Sequence, residues 1–499
     1  MFGSGSSLQG DNEHGIDAKA VGSKAYRALY KKREQIYPKL VHGRFRALKW
    51  AAMVVLLGIY YITPWIRWDR GPHRPDQAVL IDFEGRRFYF FFIELWPQEV
   101  YYITGLLIVA SMALFLATAL FGRVWCGYAC PQTVWTDLYI YVERLIEGDR
   151  NARMRLDKAP WSISKGARKI AKHALWIAIA AATGGAWVFY FADAPTLFRD
   201  LFTGTASVAS YLFVGGLTFA TYTLAGTMRE QVCTYMCPWP RIQAAMTDAE
   251  SLNVTYRADR GEPRGAHKKG ASWEGRGDCV DCNQCVAACP QGIDIRDGDQ
   301  LECINCALCI DACDAVMAKV SRPSGLIAYD TTINVKRRAA GEQAHYRFIR
   351  PRTILYALIF LGVGALMLME LANRATLDLN VIRDRSPPFV RLADGSLRND
   401  YALKIINRAP ETRTIEVSVS GLPNALLSSH HHHHSLHGRS GDGALLVTAR
   451  PDGVVNARVH VTAPAGIAAG SHRISFDARD VRTGEHVASA SAFLAGEAP

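Results

Sequence analysis

The chain has 499 residues, a formal charge of +11, 49% apolar residues and 12 cysteines. That length allows two to four domains. The apolar residues gather in long uncharged windows, which argues against a soluble protein, and the basic residues flank those windows, so the charge reflects membrane topology and does not point to nucleic acid.

The first 45 residues are polar, rich in Gly, Ser and Lys at the start and basic near the end. No cleavable signal peptide is expected, because the first apolar run is long enough to stay in the membrane. Five windows follow: Leu48 to Ile66, Val100 to Phe121, Ile170 to Ala192, Ser207 to Met228 and Thr353 to Ala372. Each is about 20 residues, the length that crosses a bilayer core as a helix. Between the first two, "EGRRFYFFFIELWPQEV" suits the membrane interface, where Trp and Tyr are favoured.

Lys31, Lys32, Arg33, Lys39, Arg44 and Arg46 precede the first window, and Arg144, Arg150, Arg153, Arg155, Lys165 and Arg168 lie between the second and third. The positive-inside rule makes both segments cytoplasmic, with the N-terminus inside and the C-terminus outside. The expected fold is a multidomain membrane protein: a cytoplasmic segment (1–47), a four-helix membrane region (48–229), a cytoplasmic ferredoxin-like domain (230–352) and a fifth transmembrane helix (353–373). A periplasmic immunoglobulin-like β-sandwich (374–499) completes it, read from alternating segments such as "TIEVSVSG" and "ARVHVTAP" between Gly, Pro and Asn turns.

All twelve cysteines fall on the side read as cytoplasmic, the reverse of what structural disulfides would show. Eight form two C-x2-C-x2-C-x3-C runs: Cys279, Cys282, Cys285 and Cys289, then Cys303, Cys306, Cys309 and Cys313. In the bacterial ferredoxin pattern the first three thiolates of a run hold one cubane and the fourth ligates the other. One [4Fe-4S] cluster is therefore expected on Cys279, Cys282, Cys285 and Cys313, the other on Cys303, Cys306, Cys309 and Cys289. Two complete copies at the same offsets argue against zinc. Pro290 follows the first run, whereas Asp314 stands in place of proline after the second.

Two further pairs, Cys126 with Cys130 and Cys233 with Cys237, form C-x-x-x-C-P motifs where membrane hairpins end, a weak internal repeat. At i and i+4 two thiols share one helix face, and the following proline suits a bend or a new helix start. Soft sulfur favours Cu(I), zinc or an iron-sulfur cluster. A close pair can also cycle as dithiol and disulfide, or the residues can simply pack a helix contact.

Only His173 comes near a window, so axial haem ligation is not expected, and no Gly-rich dinucleotide fingerprint follows a strand. The chain needs a separate electron donor. His430 to His434 with His437 form a tract in the outer domain that would bind Cu(II), zinc or nickel; a loop insertion explains it equally well.

With "YPKLVHGRFRALKW", "CGYACPQTVWTDLYIYVERLIEGDR", "CTYMCPWPRIQAAM", the double cysteine run and "RDRSPPFVRLADGSLRNDYALKIINR" in view, nearly the whole chain resembles the CcoG family (also called FixG or RdxA). The resemblance implies an inner-membrane polyferredoxin that reduces Cu(II) to Cu(I) for assembly of cbb3-type cytochrome c oxidase. Copper is then substrate or bound ion, and Cys126, Cys130, Cys233 and Cys237 are the copper-handling, catalytic thiols. It also implies membrane lipid around the spans and, as partners, a copper importer, copper chaperones and oxidase subunits. The donor, cytoplasmic or quinol, and homodimerisation stay open. Two other readings are a quinol-linked electron conduit of NapH type and a non-enzymatic assembly scaffold.

Overall fold

The structure, a computed structural model, describes residues 34–496 except 72–73, 269, 271, 410, 430–435, 440–443 and 452. The chain forms two compact units, divided between Met367 and Leu368.

In the first unit an extended strap, 34–42, enters α1 (Arg44–Ile62), and a small antiparallel sheet of β1 (Val79–Asp82), β2 (Arg87–Phe90) and β3 (Ile93–Leu95) follows. The chain continues through α2 (Tyr101–Phe121), α3 (Val124–Tyr128), α4 (Pro131–Glu147), α5 (Arg150–Lys158), α6 (Ile163–Val188), α7 (Ala194–Thr203) and α8 (Val208–Thr221). Beyond α8 come π-helical turns at Tyr222–Met228 and Val232–Met236. Next are α9 (Trp239–Met246), β4 (Asn253–Tyr256), α10 (Ala258–Gly261), α11 (Gln284–Ala288), α12 (Leu308–Lys319), β5 (Ile327–Asp330), α13 (Thr332–Ala339) and α14 (Pro351–Ala372).

Four helices among the described residues are long and apolar enough to cross a membrane: Arg44–Trp65, Tyr101–Phe121, Val208–Met228 and Pro351–Ala372. Their apolar side chains face outward, with Val54, Leu107, Phe213 and Leu358 all about 63% exposed. Such surface costs about 25 cal/mol per Å² in water and nothing in lipid. The expected third window, Ile170 to Ala192, lies mostly in α6 but is not one of the four. The N-terminal half of α6 carries Lys165, Arg168, Lys169 and Lys172, of which only Lys172 lies in the window, and Lys172 pairs with Glu147 of α4 at 2.9 Å. The other end packs tightly on α8, since a Cβ at Gly184 would lie 2.7 Å from the Val214 carbonyl oxygen.

The cysteine-rich module is fixed to these helices. The N-terminus of α1 has no side-chain cap of its own; the Asp311 carboxylate of α12 accepts from the N–H of Phe45 (3.3 Å) and of Arg46 (2.7 Å). A carboxylate there satisfies orphan donors and complements the helix dipole. The strap adds a bond from the Lys39 N–H to the Ala287 carbonyl at 2.8 Å. Behind it, buried Glu143 of α4 receives Arg153 (2.7 Å), Arg229 (2.9 Å) and Lys172 (3.5 Å), and Arg153 also donates to the Pro38 carbonyl. Burial alone would raise the Glu143 carboxyl, but Arg229, Arg153 and Lys172 outweigh it and hold it below the ordinary value.

The second unit contains β6 (Leu377–Arg383), β7 (Val390–Arg391), β8 (Leu397–Asn407), β9 (Arg413–Ser420), β10 (Leu426–Ser429), β11 (Leu436–Arg439), β12 (Leu445–Ala449), β13 (Gly453–Ala463), β14 (Gly470–Asp480) and β15 (His486–Ala495). One antiparallel sheet runs β10-β13-β8-β6, with β7 also on β8; the other runs β11-β12-β9-β14-β15. Leu403, Ile405, Val417, Val459 and Phe476, each buried, share one core between them. At about 1.5–3 kcal/mol per large apolar side chain, this alternation is what sets the strand register. The expected sandwich is present. The histidine tract 430–434 lies outside the described residues, and His437 falls within β11.

Candidate iron-sulfur and thiol centre

The two cysteine runs fold alike. Asp281 and Asn283 in the first run, and Asn305 and Ala307 at the same offsets in the second, all have positive φ, between 52° and 60°. Asn and Asp tolerate this left-handed turn, whereas Ala307 holds it at a cost of about 1–2 kcal/mol. The turns aim successive thiols into a common space.

Two such spaces result. One is lined by Cys279, Cys282, Cys285 and Cys313, the other by Cys289, Cys303, Cys306 and Cys309, and Cys285 lines both. These are the crossed quartets that the spacing predicts. All twelve cysteines are free. Burial pushes the thiols of Cys285, Cys289 and Cys303 up to about 12, while backbone N–H groups of Ile293 and Gln291 at Cys289, and of Asn305 at Cys303, favour the thiolate. Buried, all-sulfur sets with backbone donors fit [4Fe-4S] clusters. No three Cys, His, Asp or Glu side chains among the described residues converge tightly enough for one metal ion. A cubane needs no such convergence, since it spaces its four thiolates farther apart than a single ion would.

The paired cysteines do not share a helix face. Cys126 lies in α3, but the chain turns extended at Cys130 (ψ 127°), which precedes Pro131 at the start of α4. Cys233 lies in a π-helical turn and Cys237 is again extended (ψ 122°), followed by Pro238 and α9. Proline after each second cysteine forces the break, as its missing N–H and fixed φ require.

The motifs nonetheless meet. Gln132, just after Cys130, donates through Nε2 to the carbonyls of Leu224 (2.8 Å) and Arg229 (3.2 Å) ahead of Cys233. Fully buried Gln243, six residues after Cys237, accepts from the Cys126 Sγ at 3.2 Å and donates to Thr118. Burial and the nearby Cys130, Cys233 and Cys237 push the Cys126 thiol up to about 12, and burial with Cys130 and Cys237 does the same to Cys233. Cys237 is exposed.

This group abuts the second quartet. Cys126 and Cys306 belong to one apolar cluster with Val41, Ile304 and Leu308. A Cβ at Gly127 would fall 2.7 Å from the Ile304 carbonyl oxygen and 3.0 Å from the Cys306 Cα, so only glycine permits the approach. Arg123 donates through Nη1 to the carbonyls of Gln300 (3.1 Å), Leu301 (2.6 Å) and Cys303 (3.1 Å). Cys233 shares a polar space with Gln291, two residues past Cys289. Neither Gln243 nor Arg123 gave a sequence signal, because their partners lie more than a hundred residues away in the chain. His173 donates to or accepts from the Tyr222 hydroxyl at 2.9 Å, a polar helix contact.

Two ferredoxin-type thiol quartets, joined to apolar helices and followed by an Ig-like domain, define a polyferredoxin of membrane type. Residues 228–332 match a 4Fe-4S dicluster domain and residues 103–148 a 4Fe-4S binding domain, while residues 367–496 match the IG-like fold at the C-terminus of FixG. The chain is 51% identical to "Nitrogen fixation protein FixG" of Rhizobium meliloti (strain 1021) over 90% of its own length and 91% of that protein's. It is 50% and 48% identical to "Protein RdxB" and "Protein RdxA" of Cereibacter sphaeroides, each over 88% of this chain and 91% of the relative. The chain belongs to the FixG family of iron-sulfur oxidoreductases.

Proposed function

We propose that this oxidoreductase is a cupric reductase, in which Cys126, Cys130, Cys233 and Cys237 receive Cu(II) and release Cu(I) for the copper site of a cbb3-type oxidase. The observation that carries this reading is the packing of Cys126 against Cys306, which puts a soft-ligand group beside the second cluster quartet. When bound, the two [4Fe-4S] clusters supply one-electron carriers. The thiols themselves bias the reaction: sulfur stabilises Cu(I) over Cu(II), so a thiol-rich site raises the copper potential and pulls reduction forward. Gln243 holds Cys126 in place, and exposed Cys237 offers the entry point.

Basic flanks favour the inner membrane with the N-terminus and dicluster module cytoplasmic and the sandwich periplasmic. A copper importer, chaperones and oxidase subunits are the matching partners, and a homodimer is compatible with them. The test mixes dithionite-reduced, desalted protein anaerobically with Cu(II) and a Cu(I)-specific chromophore. Cluster oxidation should match Cu(I) formation, and the quadruple Cys→Ser variant should keep cluster absorbance while losing Cu(I) production. Unchanged Cu(I) production would overturn the assignment.

The family match at residues 103–148, a stretch whose only cysteines are Cys126 and Cys130, favours a second reading in which the four thiols hold a third cluster. Iron content separates the two, at about eight irons per chain for two clusters and about twelve for three.

A further inference from the structure

We propose that the groove beside Cys303 is a binding site for the ring of a lipid-soluble hydroquinone, the electron donor of the dicluster module. The proposal rests on the clusters and not on copper.

The groove holds about 200 Å³. Its floor stands at the feet of two apolar helices. Arg123 follows the end of α2 by two residues, and Leu252 donates to the Leu120 carbonyl at 3.0 Å. On the α14 side Arg352 donates to the Met246 carbonyl at 3.0 Å and Arg350 to the Ala119 carbonyl at 2.7 Å. A ligand with an apolar tail can therefore reach the groove along these helices, whereas a soluble carrier gains nothing from the position.

The lining suits a ring with two opposed oxygens. Ala244, Val254, Ile295 and Leu301 give apolar surface, and Thr247, Asn253, Gln300 and Asn305 give hydrogen-bonding groups. Amides and hydroxyls can donate to a quinone carbonyl and accept from the hydroquinone hydroxyl. Gln300 Oε1 is buried with no partner among the described residues, and Arg123 makes its three carbonyl bonds through Nη1. One arginine facing one aspartate, Asp299, is poor recognition for a multiply charged nucleotide.

Cys303 is both groove wall and cluster ligand. The hydroquinone loses two electrons and two protons to become quinone. The electrons pass singly into the dicluster module, one for each of two [4Fe-4S] centres, and the protons leave to water past exposed Asp299. A two-electron donor thus matches two one-electron acceptors without a radical accumulating.

The experiment uses the full-length, cluster-loaded protein in detergent, without copper. A photoreactive azidoquinone should label the segments 244–254 and 299–305, with labelling competed by an unmodified quinone. Anaerobic addition of a short-chain hydroquinone should bleach the cluster absorbance. Thr247→Trp fills the groove; it should cut labelling and hydroquinone-driven bleaching at least tenfold while iron content and dithionite bleaching stay at wild-type levels. Asn253→Asp, a smaller change, should weaken labelling several-fold. Labelling elsewhere, or full hydroquinone bleaching in Thr247→Trp, would overturn the site. Clusters that hydroquinone bleaches but that yield no Cu(I) when Cu(II) is added in a second step would instead count against the copper reading alone.

Discussion

Gly127→Ala probes the contact between the thiol group and the second cluster quartet with a single methyl. A Cβ there sits 2.7 Å from the Ile304 carbonyl oxygen, so reaching the ordinary 3.4 Å requires a retreat of about 0.7 Å. Backbone lies on both sides, and neither side can rotate away. Overpacking of this kind costs about 1–3 kcal/mol, and the better helix propensity of alanine in α3 returns up to about 1 kcal/mol. From the middle of the overpacking range, about 2 kcal/mol, the net local loss is about 1–2 kcal/mol, or roughly five- to thirtyfold in an opening equilibrium. Because a multidomain, cofactor-loaded chain does not unfold in two states, amide hydrogen exchange of residues 124–134 is the appropriate measure. Those amides should exchange faster by that factor, iron content should stay unchanged, and Cu(I) formation should slow. Gly166→Ala in α6 is the control: nothing lies within 4 Å of its Cβ, so the same substitution should gain about 0.5–1 kcal/mol. Protection at 124–134 that is equal to wild type in Gly127→Ala would refute the close approach.

Cys313→Ser should deplete the cluster shared with Cys279, Cys282 and Cys285 and leave the other, read as one surviving [4Fe-4S] signal by EPR; loss of the other cluster alone would contradict the crossed pairing. Asp311→Ala removes the cap of α1 and should cost about 0.5–2 kcal/mol, seen as faster exchange at residues 44–47 with clusters retained. Glu143→Gln leaves Arg153, Arg229 and Lys172 facing a neutral group and should cost about 3–5 kcal/mol. The sign with pH follows from the depressed carboxyl. Wild type holds the Glu143 contribution above the unfolded value of about 4.3 and loses it as pH falls further. The stability gap between the two proteins should therefore be full at neutral pH and close on acidification; a gap that widens in acid would count against the network.

Residue spacing was enough to assign both quartets, because each run repeats the same pair of left-handed turns and the crossed fourth cysteine follows from that local geometry. Alternation was likewise enough for the sandwich, where Leu403, Ile405, Val459 and Phe476 follow a period of two. The paired motifs were legible only in part. Their spacing implied one helix face, yet Pro131 and Pro238 break each motif, and contacts distant in sequence bring the pairs together through Gln132 and Gln243. The third window, which forms most of α6, differs from the other four in the charges at its start. Lys172 is met by Glu147 of α4 and Lys165 by the Asp157 carbonyl of α5, partners that no local window can register.

The junction carries a consequence for electron transfer that spacing could not supply. A ferredoxin module on a flexible tether would sample many distances to an acceptor. Here Asp311 caps a membrane-length helix, Lys39 bonds to α11, Val41 packs with Cys126 and Cys306, and Gly127 meets the Cys306 backbone. Each contact joins the first apolar helix's own start, the strap before it, or a segment between the second and third such helices to a segment of the cysteine module. Breaking one leaves the others to hold the gap, so single substitutions should lower the rate by degrees, whereas Gly127→Ala with Asp311→Ala should lower it by more than the product of the two. Contacts that share one rigid interface couple in this way, and independent ones do not.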